Sequence, residues 1–185
     1  FFHPSRDMRE GPAVKLFSHR DVVFPSSDGV LLHGWYFPVE NARGSILVLH
    51  GNAQNLSTHV NSVLWLVKEG FNIFIIDYRG YGWSGGDPGL EGVHCDADAG
   101  LEKLFAMPET DPDRVVVLGQ SLGGSIAIYT VTHSPHKDRI RALVIDGIQG
   151  LCIDRRGLLD GVGRSDFSHR AWRTRPECNG QRDRR

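Results

Sequence analysis

Residues 45–49, 71–76, 114–118 and 140–145 are short apolar runs that each end at a turn, and the stretches between them carry apolar side chains at helical spacing. This alternation constrains the fold more than any other feature. Strands separated by helices become parallel neighbours, and such a sheet is stable only when helices cover both of its faces. Ahead of the alternation, residues 21–24 and 30–37 are rich in β-branched and aromatic side chains and flank the turn-forming Pro25-Ser26-Ser27-Asp28-Gly29, which predicts an N-terminal β-hairpin. The expected fold class is therefore α/β, with a mostly parallel sheet. Helices are expected over 58–68, with Ser57 as N-cap and Gly70 as stop, over 89–107 and over 121–132.

Composition fits one globular domain: the 185 residues are 40% hydrophobic and 23% charged, enough apolar material for a core. A net charge of −1 supplies no basic face to hold a phosphate backbone, so nucleic acid is excluded as the expected partner. Cys95, Cys152 and Cys178 are odd in number and widely spaced, which matches neither a disulfide framework nor a zinc site. Cys95 is expected as a buried small hydrophobe. No apolar run approaches the roughly 18 residues of a membrane span. The chain begins with Phe1 rather than Met, so a membrane is expected to enter only through an upstream anchor that is missing here. The expected location is accordingly the cytoplasm or a membrane surface, with nothing in the residues to choose between them.

Charge divides the chain. Residues 1–149 hold 12 basic and 17 acidic side chains, a net of −5, whereas 150–185 hold nine Arg, no Lys and five acidic side chains, a net of +4. The tail has only six Leu, Ile, Val or Phe residues and no sustained period. Two readings stand: a basic interaction tail, or a stretch read out of frame. Residues 1–147 are expected to form the ordered part, with strands one to six, and 148–185 a poorly ordered Arg-rich extension.

Gly119-Gln120-Ser121-Leu122-Gly123 follows Val115-Val116-Val117-Leu118 and opens a helical stretch. A G-x-S-x-G pattern alone arises by chance about 0.2 times in a chain of this composition, so the strand-turn-helix setting decides. In that setting the glycines permit a turn tight enough to project the serine hydroxyl above the sheet, which makes Ser121 the candidate nucleophile; the alternative is an ordinary N-capping serine. Acyl transfer also needs donors aimed at the developing oxyanion. The N–H of Leu122, at the helix N-terminus, is one candidate, and the loop His50-Gly51-Asn52-Ala53 supplies the other through Asn52 N–H or Ala53 N–H. His50 is expected to brace that loop. The glycines of residues 78–86 are expected to let that loop cross the strand ends beside the nucleophile. Asp96 and Asp98 are expected in solvated or capping roles, and no metal is implied.

Val48-Leu49-His50-Gly51-Asn52-Ala53, Asp77-Tyr78-Arg79-Gly80-Tyr81-Gly82-Trp83-Ser84 and Gly119-Gln120-Ser121-Leu122-Gly123-Gly124 together resemble the α/β-hydrolase superfamily, in its serine aminopeptidase-like or lysophospholipase-like abhydrolase-domain branch. The resemblance covers about residues 15–147. It implies an eight-stranded sheet with Ser121 after the fifth strand, a triad in the order Ser, Asp, His, no cofactor, and a small acyl or peptide substrate.

The chain departs from that pattern after residue 145. The strands that would deliver the triad acid and base are not recognisable, so the domain is expected to be an incomplete α/β-hydrolase fold whose sixth strand has an unpaired outer edge. Asp146, at the end of that strand, is one candidate to orient a base. Asp154, Asp160, Asp166 and His169 occur in the required order, but no strand or Gly-His turn presents them. Synonymous codons for residues 147–155 exist whose shift by one base spells Ala-Phe-Arg-Ala-Tyr-Ala-Ser-Ile-Ala, similar to the segment that family members carry there. The expected function is cleavage of an ester, thioester or amide through acyl-Ser121, with acid and base missing from a truncated or frameshifted chain. The alternative is a non-catalytic product or a scaffold that binds acyl ligands.

Overall fold

A computed structural model describes residues 2–147 together with the backbone of 151–154. In chain order the strands are β1 (His3–Pro4), β2 (Arg20–Pro25), β3 (Leu31–Phe37), β4 (Gly44–Leu49), β5 (Ala53–Gln54), β6 (Phe71–Asp77), β7 (Val115–Gln120), β8 (Ile140–Asp146) and β9 (Leu151–Asp154). The helices are α1 (Leu56–His59), α2 (Trp65–Lys68), α3 (Leu90–Phe105) and α4 (Leu122–His133). Seven strands form one sheet in the order β2-β3-β6-β4-β7-β8-β9, and β1 pairs with β5 apart from it. The expected hairpin is β2-β3, closed by Ser26 N–H donating to Val30 O at 2.8 Å. β6, β4, β7 and β8 run parallel, β3 joins β6 antiparallel, and β9 lies antiparallel on β8.

Every residue of β4, β6 and β7 is buried, as their unbroken apolar runs require. Alternate side chains then face opposite cores. Leu47, Leu49, Phe74, Ile76, Val115 and Val117 pack under Val93, Ala97 and Leu101 of α3 and Ile126 and Ala127 of α4. Ile46, Val48, Ile73, Ile75, Val116 and Leu118 pack under Leu56, Val60, Val63 and Leu66. The helices therefore lie on both faces. Among the described residues no helix is long and apolar enough to cross a membrane.

β4 lies between β6 and β7, so the chain leaves β4 toward one side and returns on the other. This topological switch point lies at the carboxyl ends of β4 and β7, the place where open α/β sheets bind their ligands.

Three local expectations are corrected. The single helix over 58–68 is instead α1, a 3-10 turn Val60–Ser62, and α2. Its N-cap is Asn55, whose Oδ1 accepts from Ser57 N at 3.1 Å, rather than Ser57 itself. Thr58 Oγ1 donates to Asn55 O and Ser62 Oγ to His59 O, and such side-chain bonds compete with the helical ladder. Gly70, at φ 86°, does stop the segment. The second correction is at the sheet edge: β8 is not left unpaired, because Leu151–Asp154 runs along it with Ile145 opposite Leu151. Four residues were too few to show a period.

The third correction concerns α3. Asp96 is fully buried rather than solvated, because the Arg79 guanidinium neutralises it: Nη2 donates to Oδ1 at 2.8 Å and Nε to Oδ2 at 3.0 Å, while Arg79 N–H donates to Oδ2 at 2.8 Å. Asp98 is half-buried, and that burial raises its pKa. Cys95 is half-buried, not buried, and carries a free thiol.

Candidate active site

Ser121 sits between β7 and α4 with φ 51° and ψ −114°. A non-glycine residue held there costs about 1–3 kcal/mol, so the surroundings must over-determine it. Ser121 N–H donates to Asp146 O at 2.9 Å, and Gly124 N–H donates to Ser121 O at 2.9 Å. One side of the turn is backbone packed on backbone: a Cβ built at Gly123 would stand 2.0 Å from Leu49 O and 2.6 Å from His50 O. Only glycine lets the first turn of α4 approach the end of β4 this closely. The Ser121 side chain is exposed and makes no capping hydrogen bond, so the N-cap alternative is not realised.

The loop after β4 lies against this serine. A Cβ at Gly51 would be 3.6 Å from Ser121 Cβ and 3.6 Å from Gln120 O. Asn52 follows directly, and its Oδ1 accepts from His3 N at 3.2 Å. Leu122 is the first residue of α4, where the helix N-terminus presents N–H groups and positive dipole. The structure thus brings Ser121, Leu122 and the Asn52 loop to one place. His50 is fully buried, with Nδ1 2.7 Å from Gly51 O and Nε2 3.1 Å from Asp77 Oδ1. Asp77 Oδ1 also accepts from Leu56 N at 2.7 Å, tying the end of β6 to the start of α1.

Asp146 reaches the same corner through its backbone, while its Oδ2 accepts from Gln120 Nε2 at 3.2 Å. Among the described residues no histidine or carboxylate hydrogen-bonds to Ser121 Oγ. Asp160, Asp166 and His169 lie outside the described residues, as does the side chain of Asp154.

Two residues of the corner escaped the reading of the sequence. Tyr81 OH donates to Asn52 O at 2.7 Å, and His59 Nε2 lies 2.8 Å from Ala53 O. The glycine-rich stretch around Tyr81 was the available signal, but it did not point to a particular carbonyl. His59 is half-buried and stacks on His50 at 5.1 Å. Burial, with His50 beside it, holds its pKa below the ordinary 6.5. The unfolded chain therefore takes up this proton near pH 6.5 while the folded chain takes it up only at lower pH, so acid favours unfolding between those two values. The thermal midpoint should fall as pH is lowered from 7 through 6.5, and calorimetric scans of His59→Gln should show a shallower fall. His94, also held low by burial, accounts for part of the slope that persists.

A sequence model of the serine aminopeptidase S33 family matches residues 40–169. The Escherichia coli K12 protein YfhR is 36% identical over 151 residues, which are 79% of this chain and 52% of that one. The Arabidopsis thaliana α/β-hydrolase domain-containing protein WAV2 is 34% identical over 151 residues, 80% of this chain and 48% of its own. Among solved structures, the Pyrococcus furiosus esterase Pf2001 superposes with a TM-score of 0.64 at 28% identity, covering 75% of this chain and 55% of that chain. The chain spans about half the length of the curated relatives it matches. With its sheet order, its strand-turn-helix serine and these matches, the chain belongs to the serine aminopeptidase S33 family of α/β-hydrolases.

Proposed function

We propose that this chain carries the nucleophile and oxyanion donors of a serine hydrolase acting on a small acyl or peptide substrate. The observation that carries the reading is Ser121 at φ 51°, exposed at the start of α4 and facing the Gly51-Asn52 loop. Ser121 Oγ attacks the substrate carbonyl carbon, and the bond to the alcohol, thiol or amine leaving group breaks to give acyl-Ser121. The hydroxyl proton passes through a general base to the leaving group, and water then releases the acid and restores the serine. Leu122 N–H and the N–H of Asn52 or Ala53 stabilise the tetrahedral oxyanion. No residue of this chain is assigned as the general base, and Asp146 is the one described carboxylate kept as a candidate to orient it. A carboxylester is the favoured substrate, a choice supported by the esterase Pf2001 at 28% identity.

The test is covalent. A folded preparation of the full chain treated with an alkyl fluorophosphonate should gain one adduct at Ser121 by intact-mass and peptide mass spectrometry, and Ser121→Ala should gain none. Complete absence of labelling overturns the hydrolytic reading for this chain. That outcome favours the second reading, an acyl-binding scaffold, which is motivated by the lack of a base bonded to Ser121 Oγ among the described residues.

A further inference from the structure

Four consecutive carbonyls in the loop after β4 each face a side-chain donor. His50 O accepts from Tyr78 OH at 3.0 Å, Gly51 O lies 2.7 Å from His50 Nδ1, Asn52 O accepts from Tyr81 OH at 2.7 Å, and Ala53 O lies 2.8 Å from His59 Nε2. The next carbonyl, Gln54 O, accepts from Ser5 N at 2.9 Å, where β1 pairs with β5. Loops seldom spend side chains this way, because water can satisfy carbonyls at a surface. Apart from His50, which lies in the loop itself, the donors come from three separate places in the chain. Tyr78 and Tyr81 lie in the loop after β6, His59 ends α1, and Ser5 belongs to the N-terminal segment.

A trans peptide is planar, so the C=O of one residue and the N–H of the next point in opposite directions. Fixing a carbonyl therefore fixes the following N–H. His50 at Gly51 O sets the direction of Asn52 N–H, and Tyr81 at Asn52 O sets that of Ala53 N–H. These are the two alternatives for the loop's N–H donor to the oxyanion, which acts beside Leu122 N–H. We propose that Tyr81 is a positioning residue whose hydrogen bond to Asn52 O fixes the peptide carrying Ala53 N–H and steadies the oxyanion loop against the carbonyl that Ser121 attacks, with His59 at Ala53 O holding the adjoining peptide in place; this rests on the hydrolytic reading above. The N-terminal segment meets Tyr81 at the same acceptor, since Asn52 Oδ1 accepts from both Tyr81 OH at 3.0 Å and His3 N at 3.2 Å. Neither Tyr81 nor His59 need touch the substrate.

The experiment uses the full chain and Tyr81→Phe, which deletes only the hydroxyl. Two readouts are taken: the second-order rate of Ser121 labelling by an alkyl fluorophosphonate, and amide hydrogen exchange across residues 51–55. Deleting an oxyanion donor outright costs about 10²–10³ in rate, so mis-aiming one should slow labelling by roughly 10-fold to 100-fold. Exchange should accelerate in residues 51–55 while β4 and β7 amides keep their protection, a pattern that general destabilisation does not produce. Tyr36→Phe, which removes a fully buried hydroxyl elsewhere in the sheet, should change neither readout. Should Tyr81→Phe fail to fold, His59→Gln at the half-buried neighbour should shift both readouts in the same direction. The proposal is overturned if Tyr81→Phe labels at the parent rate, or if Tyr36→Phe slows labelling equally. If the parent chain does not label at all, the hydrolytic reading fails on its own account, and unchanged exchange across 51–55 in Tyr81→Phe then overturns the positioning role separately.

Discussion

Gly123→Ala is expected to destabilise the domain by about 3 kcal/mol or more and to abolish labelling of Ser121. The new Cβ would stand 2.0 Å from Leu49 O, 2.5 Å from Leu49 C and 2.6 Å from His50 O, all of them backbone atoms inside or beside a central strand. No rotamer can relieve that overlap. Either α4 retreats from the sheet, opening the core that Ile126 and Ala127 fill, or β4 shifts against both of its parallel neighbours. Overpacking costs typically about 1–3 kcal/mol when side chains can yield, so a backbone clash belongs at or above the top of that range. Set against a total stability of about 5–15 kcal/mol, the loss leaves a marginal fold. Gly124→Ala is the informative comparison, since its Cβ would meet Ile145 Cγ2 at 2.9 Å, part of a side chain that can move. Urea unfolding of both variants should separate them clearly, and a Gly123→Ala midpoint equal to that of the parent would show the contact to be soft.

The second large effect is at Asp96. Asp96→Ala should cost about 3–5 kcal/mol, because deleting one partner of a buried pair strands the other charge. Asp96 is fully buried and accepts from two side-chain nitrogens, Nε and Nη2, and one backbone N–H of Arg79, whose own side chain is only 11% exposed. The same guanidinium binds Asp28 at 2.7 Å across the β2-β3 turn, but Asp28 is half exposed, so Asp28→Ala should cost far less. The double variant Arg79→Met with Asp96→Leu should recover much of the loss, because a buried pair replaced by apolar side chains is often neutral. Thermal unfolding of the four proteins tests this; a single Asp96→Ala that melts with the parent would remove the pair from the stability account. The effect also bears on the site, since Arg79 stands two residues before Tyr81, and the pair anchors the loop that carries it.

The local grammar of this chain was legible without coordinates. The runs in β4, β6 and β7 are each long enough and apolar enough to demand cover on both faces, and the glycines around Ser121 demand a sharp turn between strand and helix. Those features depend on neighbours in sequence, and periodicity reports them. The break of one predicted helix into α1 and α2 was less legible, because the competing Thr58 and Ser62 hydrogen bonds are each weak and local. β9 was shorter than any period can reveal.

What lay beyond the sequence are the pairings between residues far apart in the chain. Arg79 with Asp96, His50 with Asp77, Tyr81 with Asn52 and Ser121 with Asp146 each join separate segments, and no spacing rule selects them. Strand order selects them. By placing β6 on one side of β4 and β7 on the other, the sheet brings the tyrosine-bearing loop and Ser121 to opposite flanks of the same short loop. The sequence by itself determined that Ser121 would stand at the end of a buried strand. Only the tertiary structure decided which side chains hold the carbonyls opposite it, because that depends on where the sheet reverses its winding and not on any residue's neighbours in the chain.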